Sequence, residues 1–271
     1  MQPAEAARGE TDPEEGAYPQ PTPRLLYVHD DLTDEVERRF GGASPAAALV
    51  RSLFSLLAGD GTRVEILTVA QQVERVSAQG SHAPFDLTLG IARAGVRVAE
   101  ALHAKTGWFP RVRRLGLTRE EDGHGGYRLV STEPIPLADQ LKGVETATSL
   151  AVVDDTVFSG LTLRSVLEAL PPVLLPRTHA FCFRGVTESV APLAKLCPVT
   201  VGVAAPGRML EDVSFINASG LVLRVSIRRR GRPPLAFFER PDWIRAWFPG
   251  RDGAVIDVCR RLNALLEPGD S

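Results

Sequence analysis

From residue 85 onward, short apolar runs alternate with stretches of helical periodicity, and this alternation restricts the fold more than any other feature of the chain. FDLTLGI (85–91), VRRLGLTR (112–119), SLAVVDD (149–155), HAFCFRGV (179–186) and VTVGVAA (199–205) have the length and composition of strands. Between them lie VRVAEALHAK (96–105), LTLRSVLEAL (161–170) and SVAPLAKL (189–196). In the second of these, Leu163, Val166, Leu167 and Leu170 fall on one helical face. Strands that alternate with helices predict an α/β fold, a mostly parallel sheet with helices on both faces.

Upstream, RLLYV (24–28) and VEILTV (64–69) read as strands. Ser44 and Pro45 open a helix as N-cap and first helical residue, with Leu49, Leu53, Leu56 and Leu57 on its apolar face. Residues 119–148 form a long polar connection in which YRLVST (127–132) suits one arm of a hairpin. Beyond Pro206 come a β-like LVLRVSIR (221–228), then PDWIRAWF (241–248) and a final helix near 254–266. Residues 1–23 carry five acids against Arg8 and five prolines, the composition of a disordered acidic tail. The chain's net charge of −2 therefore becomes +2 over 24–271, too small an excess for a dedicated nucleic-acid binder. Three scattered cysteines suit neither a disulfide framework nor a zinc site and fit a reducing cytoplasm. No apolar run has bilayer-spanning length, and no basic-then-apolar leader opens the chain.

The chemistry concentrates in AVVDDTVFSGLTL (151–163). In a parallel α/β sheet, ligands bind beyond the carboxyl ends of the strands, where Asp154 and Asp155 fall. The loop Thr156, Val157, Phe158, Ser159, Gly160, Leu161, Thr162 then leads into a helix whose N-terminal amides suit an anion. Two carboxylates for hydroxyls or a metal, beside a phosphate cradle, match a sugar phosphate. The plain alternative is a strand-to-helix turn with a capping hydroxyl.

This segment resembles the signature of the type I phosphoribosyltransferases: an apolar strand, two acids, a short variable stretch and a Thr/Ser-Gly-x-Thr loop, with Ser159 where threonine is commoner. The resemblance implies that Asp154 and Asp155 hold the ribose hydroxyls of phosphoribosyl pyrophosphate (PRPP), and that 156–162 holds its 5-phosphate. Arg93, Ala94 and Gly95, which follow the strand at 85–91, resemble the pyrophosphate loop of the uracil branch. LGLTREEDG (115–123) resembles that branch too, which places Arg119 against the diphosphate. The following loop, with His124 and Tyr127, would be the flap that closes over PRPP. Mg²⁺, carried mainly by the diphosphate and ribose hydroxyls, is the implied cofactor. A small-molecule acceptor is the implied partner, without nucleic acid or membrane, and a homodimer the implied assembly.

The likeness covers about residues 85–205. A variable hood would come from 24–80 and 206–248, within one domain spanning 24–271. After Pro206 the chain departs from the uracil enzymes, since no Gly-rich, Asp-containing base-reading segment follows. The acceptor is thereby left between a pyrimidine-like base and a related heterocycle. Two other readings remain: a PRPP- or nucleotide-sensing regulator without turnover, and an unrelated α/β enzyme such as a phosphatase using Asp154 and Asp155 for a metal. Glu211 and Asp212 could contact an acceptor N–H, and RRRGR (228–232) is either a solvated β-turn or a site for an acidic acceptor. Trp243 and Trp247 read as a helix packing face, and His29-Asp30-Asp31 as a solvated turn rather than a metal site.

Overall fold

The computed structural model describes residues 21–121, 127–229 and 231–267. The acidic tail expected over 1–23 lies outside these residues except for its last three, as does His124. The first part of the chain runs β1 (Leu25–Asp30), α1 (Thr33–Phe40), α2 (Pro45–Leu57), β2 (Val64–Thr68) and α3 (Val69–Ser77). The central part runs β3 (Leu87–Ile91), α4 (Ala92–Thr106), β4 (Val112–Leu115), β5 (Leu117–Glu121), β6 (Tyr127–Ser131), α5 (Leu137–Gln140), β7 (Leu150–Val157), α6 (Leu161–Ala169), β8 (Thr178–Val186), α7 (Thr187–Leu193) and β9 (Val199–Ala205). The last part runs β10 (Val213–Asn217), α8 (Ala218–Val222), β11 (Ile227–Arg229), β12 (Arg232–Leu235), α9 (Pro241–Trp247) and α10 (Asp252–Leu266).

The central sheet has the order β4-β3-β7-β8-β9, and every pairing in it is parallel. Side-chain alternation along β7 explains its unbroken apolar run. Leu150 and Val152 pack with Leu163, Val166 and Leu167 of α6, while Ala151 and Val153 pack with Val98 and Leu102 of α4 and with Phe181 and Phe183 of β8. A strand covered on both faces has no solvent side to keep polar.

The N- and C-terminal segments build a second layer together. Strand β1 lies between β10 and β2 and is parallel to both, with Leu25 opposite Val213 and His29 opposite Asn217. Ser44 caps α2 by accepting from the Ala47 amide at 3.1 Å. Leu53 and Leu57 of that helix join Trp243, Ile244 and Trp247 of α9 and Val255 and Leu262 of α10 in a separate core. The two tryptophans pack edge-on with ring centroids 5.7 Å apart, a packing face. The whole is a mostly parallel sheet flanked by helices, with added terminal elements, matching a type I phosphoribosyltransferase-like α/β fold with a hood.

Local readings differ from the structure at three places. VRRLGLTR is two strands: the chain turns at Gly116, whose amide donates to Gln140 Oε1 at 2.7 Å and whose Cα leaves no room for a Cβ beside Glu133. The connection 119–148 is only in part a polar loop, because Leu141, Val144 and Ala147 are buried in the central core. LVLRVSIR starts inside helix α8 and becomes strand only at Ile227. Close packing of α8 decides this, since a Cβ on Gly220 would sit 2.7 Å from the Phe237 ring. Strands β5 and β6 pair antiparallel and, with β11 and β12, form a third sheet of order β12-β11-β5-β6. Among the described residues, no helix is long and apolar enough to cross a membrane.

Candidate functional site

At the carboxyl ends of β3 and β7 a cleft of about 140 Å³ opens between the starts of α4 and α6. Its lining joins Ala92 and Ala94, Arg119 of β5, and residues 154–163. Neither N-cap residue, Ile91 or Gly160, caps its helix with a side chain; at α6 the Leu161 amide donates to Ser159 Oγ at 3.4 Å, and the other first-turn amides are left for a ligand. Gly160 begins α6 at φ +75°, a left-handed conformation that glycine adopts without strain. Ala92 begins α4 at φ +53°, which costs an alanine about 1 kcal/mol and puts backbone strain at the cleft wall.

Gly95 serves a different purpose from an open loop. A Cβ there would lie 2.3 Å from the Val153 carbonyl oxygen, so the first turn of α4 rests directly on β7. Gly95→Val is therefore expected to cost at least about 2 kcal/mol, read as a lower denaturant midpoint at an unchanged m-value. Neither Gly95 nor Arg93 belongs to the cleft lining, and Arg93 is exposed.

The acids at the end of β7 have opposite environments. Burial and the neighbouring Asp155 push the Asp154 carboxyl well above the usual carboxylate range, although its Oδ1 accepts the Asp155 amide at 2.9 Å. Burial would also raise Asp155, but the Arg184 guanidinium and Asn217 hold it below that range. Arg184 Nη2 lies 3.1 Å from Asp155 Oδ2, and Asn217 Nδ2 donates to the same oxygen at 3.2 Å.

Sequence reading had not singled out Arg184, the lone charge in the apolar strand β8, and it is fully buried. Its Nη1 donates to Gln72 Oε1 of α3 at 2.9 Å, and its Nη2 also donates to Asn217 Oδ1 of β10. Gln72 Nε2 in turn donates to His29 Nδ1 of β1 at 2.6 Å. A buried polar chain thus runs from Asp155 in the central sheet into the hood. A cation with no solvent around it requires such partners. The one available signal was that an arginine inside an apolar strand needs a buried acid.

Other residues named from the sequence have structural duties. Asp30 accepts from the Leu32 and Thr33 amides at the start of α1, and Asp31 accepts from the Ser219 amide and hydroxyl. His29-Asp30-Asp31 is therefore not a solvated turn throughout, because His29 is buried. Asp212 pairs with Arg208 and Arg24, and Glu211 with Arg208. The Arg119 guanidinium lies 5.9 Å from the centre of the Tyr127 ring. Among the described residues, no group of three or more His, Cys, Asp or Glu could hold a metal ion.

Two histidines make folding acid-sensitive. Burial, with the Arg184 charge, lowers His29 to about 3, and burial lowers His179 to about 4. Both stay neutral in the fold at pH values where an unfolded chain, with histidine near 6.5, takes up the protons. Stability is therefore expected to fall as pH drops from about 6.5 towards 4, by at most about 1.4 kcal/mol per unit for each histidine. The half-exposed His179 contributes less. Denaturant midpoints between pH 7 and 4 measure the slope, and His29→Gln should flatten it. An unchanged slope in that variant would remove His29 from the account.

The acidic pair thus sits at the carboxyl end of the central strand of the parallel sheet, facing two helix starts, within a type I phosphoribosyltransferase-like α/β fold. No protein-family model matches the chain. The bifunctional protein PyrR of Corynebacterium efficiens is 32% identical over 106 residues, which span 37% of this chain and 53% of that protein. The chain thus spans about half the length of this curated relative. A purine phosphoribosyltransferase from Pyrococcus horikoshii is 16% identical with a TM-score of 0.30, over 62% of this chain and 86% of that one. The xanthine-guanine-hypoxanthine phosphoribosyltransferase of Helicobacter pylori is 13% identical with a TM-score of 0.32, over 71% and 91%. A hypothetical protein from Neisseria gonorrhoeae, solved with bound ppGpp, is 12% identical with a TM-score of 0.34, over 54% and 80%. The chain is linked to phosphoribosyltransferase-fold proteins by its fold and by weak sequence similarity over part of its length.

Proposed function

We propose that the chain transfers the 5-phosphoribosyl group of PRPP to a nitrogenous acceptor, a pyrimidine-like base or related heterocycle, and releases diphosphate. The observation that carries this reading is the convergence of two helix starts, the Asp154–Asp155 pair and Arg119 on one cleft. The amides at the start of α6, with the hydroxyls of Thr156, Ser159 and Thr162, hold the 5-phosphate. Asp155, kept ionised by Arg184, accepts from one ribose hydroxyl through the oxygen that Arg184 leaves free, and Asp154 holds the other. Arg119 and the first-turn backbone of α4 around Ala94 take up charge on the departing diphosphate. Strand β5 walls one side of the cleft through Leu117, Thr118 and Arg119.

Mg²⁺ would arrive on the diphosphate and ribose oxygens of PRPP, beside the Asp154–Asp155 pair that lines the cleft. When bound it neutralises the leaving group's charge. A cytoplasmic homodimer completes the reading, with light scattering as the check on assembly.

A regulator that senses PRPP or a nucleotide without turnover is the second reading. It is favoured by the engagement of Asp155 Oδ2 with Arg184 and Asn217, which commits half of that carboxylate to structure. Incubation of the protein with Mg²⁺, PRPP and a panel of pyrimidine and related bases separates the two. Base-dependent diphosphate release is the expected result. Saturable PRPP binding with no release across the panel would favour the sensor, and no PRPP binding would exclude the transferase and the PRPP sensor alike.

A further inference from the structure

The third sheet has two faces with different chemistry. Its strand pairing sets Glu120 opposite Arg128 and Arg119 opposite Leu129, and alternation sends Arg119 and Glu120 to opposite sides. Arg119 borders the candidate PRPP cleft, whereas Glu120 borders a second and larger cleft of about 310 Å³, with Thr118 on both rims. Arg128 of β6 and Arg228, Arg229 and Arg232 of the β11–β12 hairpin line this second cleft.

Among the described residues Glu120 is the one acid in the lining, and it is bound to Arg128. Arg229 donates through Nη2 to the neutral Pro233 carbonyl at 2.7 Å, and its buried Nε has no hydrogen-bond partner. The described lining thus gathers four arginines and one acid in a concavity rather than over a flat surface. Guanidinium groups gathered from two elements match the oxygens of more than one phosphate. The same wall offers Val130 and Pro234, an apolar strip against which a nucleoside can lie. A volume of about 310 Å³ falls at the low end of small-ligand sites. An extended nucleic acid would instead call for a basic track with stacking aromatics, which this lining lacks.

We propose that this cleft binds a nucleoside di- or triphosphate, with its phosphates among Arg128, Arg228, Arg229 and Arg232 and its nucleoside against Val130 and Pro234. The site uses none of the residues assigned to PRPP and stands independently of that reading. It lies on the reverse face of the strand that carries Arg119, so a ligand there would act as an effector and not as a substrate.

Calorimetric titration of the full chain with ATP and with GTP tests this. At least one should bind saturably, with affinity that weakens as salt is raised. Arg228→Ala with Arg232→Ala, both exposed positions, should weaken binding about tenfold or more, and the corresponding lysine pair should recover part of it. Asp154→Asn with Asp155→Asn should leave this binding unchanged. The proposal is overturned if neither nucleotide binds, if the alanine pair binds as the wild type does, or if the Asp154–Asp155 variant loses binding. It is equally overturned if a single-stranded RNA binds at the arginines and neither nucleotide displaces it.

Discussion

Arg184→Met is expected to cost about 3–5 kcal/mol of folding stability, far more than an average substitution. Methionine fills most of the space, so the loss is not one of volume. It comes from the partners left behind: Asp155 would keep a buried charge without its counter-ion, and Gln72 Oε1 and Asn217 Oδ1 would each lose a donor. Arg184→Lys should recover only part, because one ammonium cannot reach three acceptors held on α3, β7 and β10 in a planar fork. Denaturant unfolding of both variants measures the effect. The decisive comparison is a cycle with Asp155→Asn, in which the Arg184→Met penalty should shrink by more than about 1 kcal/mol. An additive cycle would mean that Arg184 stabilises the hood without acting on Asp155.

Asp154→Asn and Asp155→Asn should each weaken PRPP binding by about tenfold or more, and together abolish it, since Asp155→Asn removes a charge-assisted hydrogen bond to one ribose hydroxyl and Asp154→Asn replaces one oxygen of the carboxyl that holds the other by an NH₂ group. Their effects on stability should differ in sign. Asp154 is raised by burial and by its neighbour, so its folded pKa lies above the unfolded value, and the stability it contributes at low pH is lost as pH rises through the folded value. Asparagine keeps the neutral shape and removes that decline, so Asp154→Asn should be neutral or stabilising at pH 7. Asp155 is lowered, and its contribution is present above the ordinary carboxylate pKa. Asp155→Asn should therefore destabilise at pH 7, because Arg184 loses its counter-charge. PRPP titrations together with melting curves test both halves. PRPP bound undiminished by the double variant would show that the cleft at β7 is not its site.

The legible parts of the fold were those whose cause is local. The alternation over 85–205 signalled a parallel sheet because strands buried on both faces must be apolar throughout, as Leu150–Val153 are. The cap at Ser44 and the helix of 45–57 could be read from a hydroxyl before a proline. The helix start after the acidic pair was signalled by its glycine and hydroxyls, and 156–162 line the cleft, but the loop itself is only 158–160, because Thr156 and Val157 still belong to β7 and Leu161 and Thr162 already to α6. Strand β10, by contrast, is short, and only its pairing with β1, nearly two hundred residues earlier, makes it part of the hood sheet. Helices α1 and α3 were missed for a similar reason: Val36 is the lone buried residue of α1, and α3 buries the polar Gln72 beside Val73 and Val76.

What the sequence by itself determined is the class of fold and the place of the acidic pair, because periodicity and a strand–loop–helix junction are properties of neighbouring residues. Only the tertiary structure decided how the two acids differ. Asp154 and Asp155 are identical in sequence terms, yet one is raised by burial and repulsion and the other lowered by Arg184 and Asn217, which reach it from other strands. It likewise decided that the arginines of the 228–232 hairpin meet Arg128 around a cleft. Electrostatic environment depends on which charges come within a few ångströms after folding, and no pattern along the chain encodes that distance.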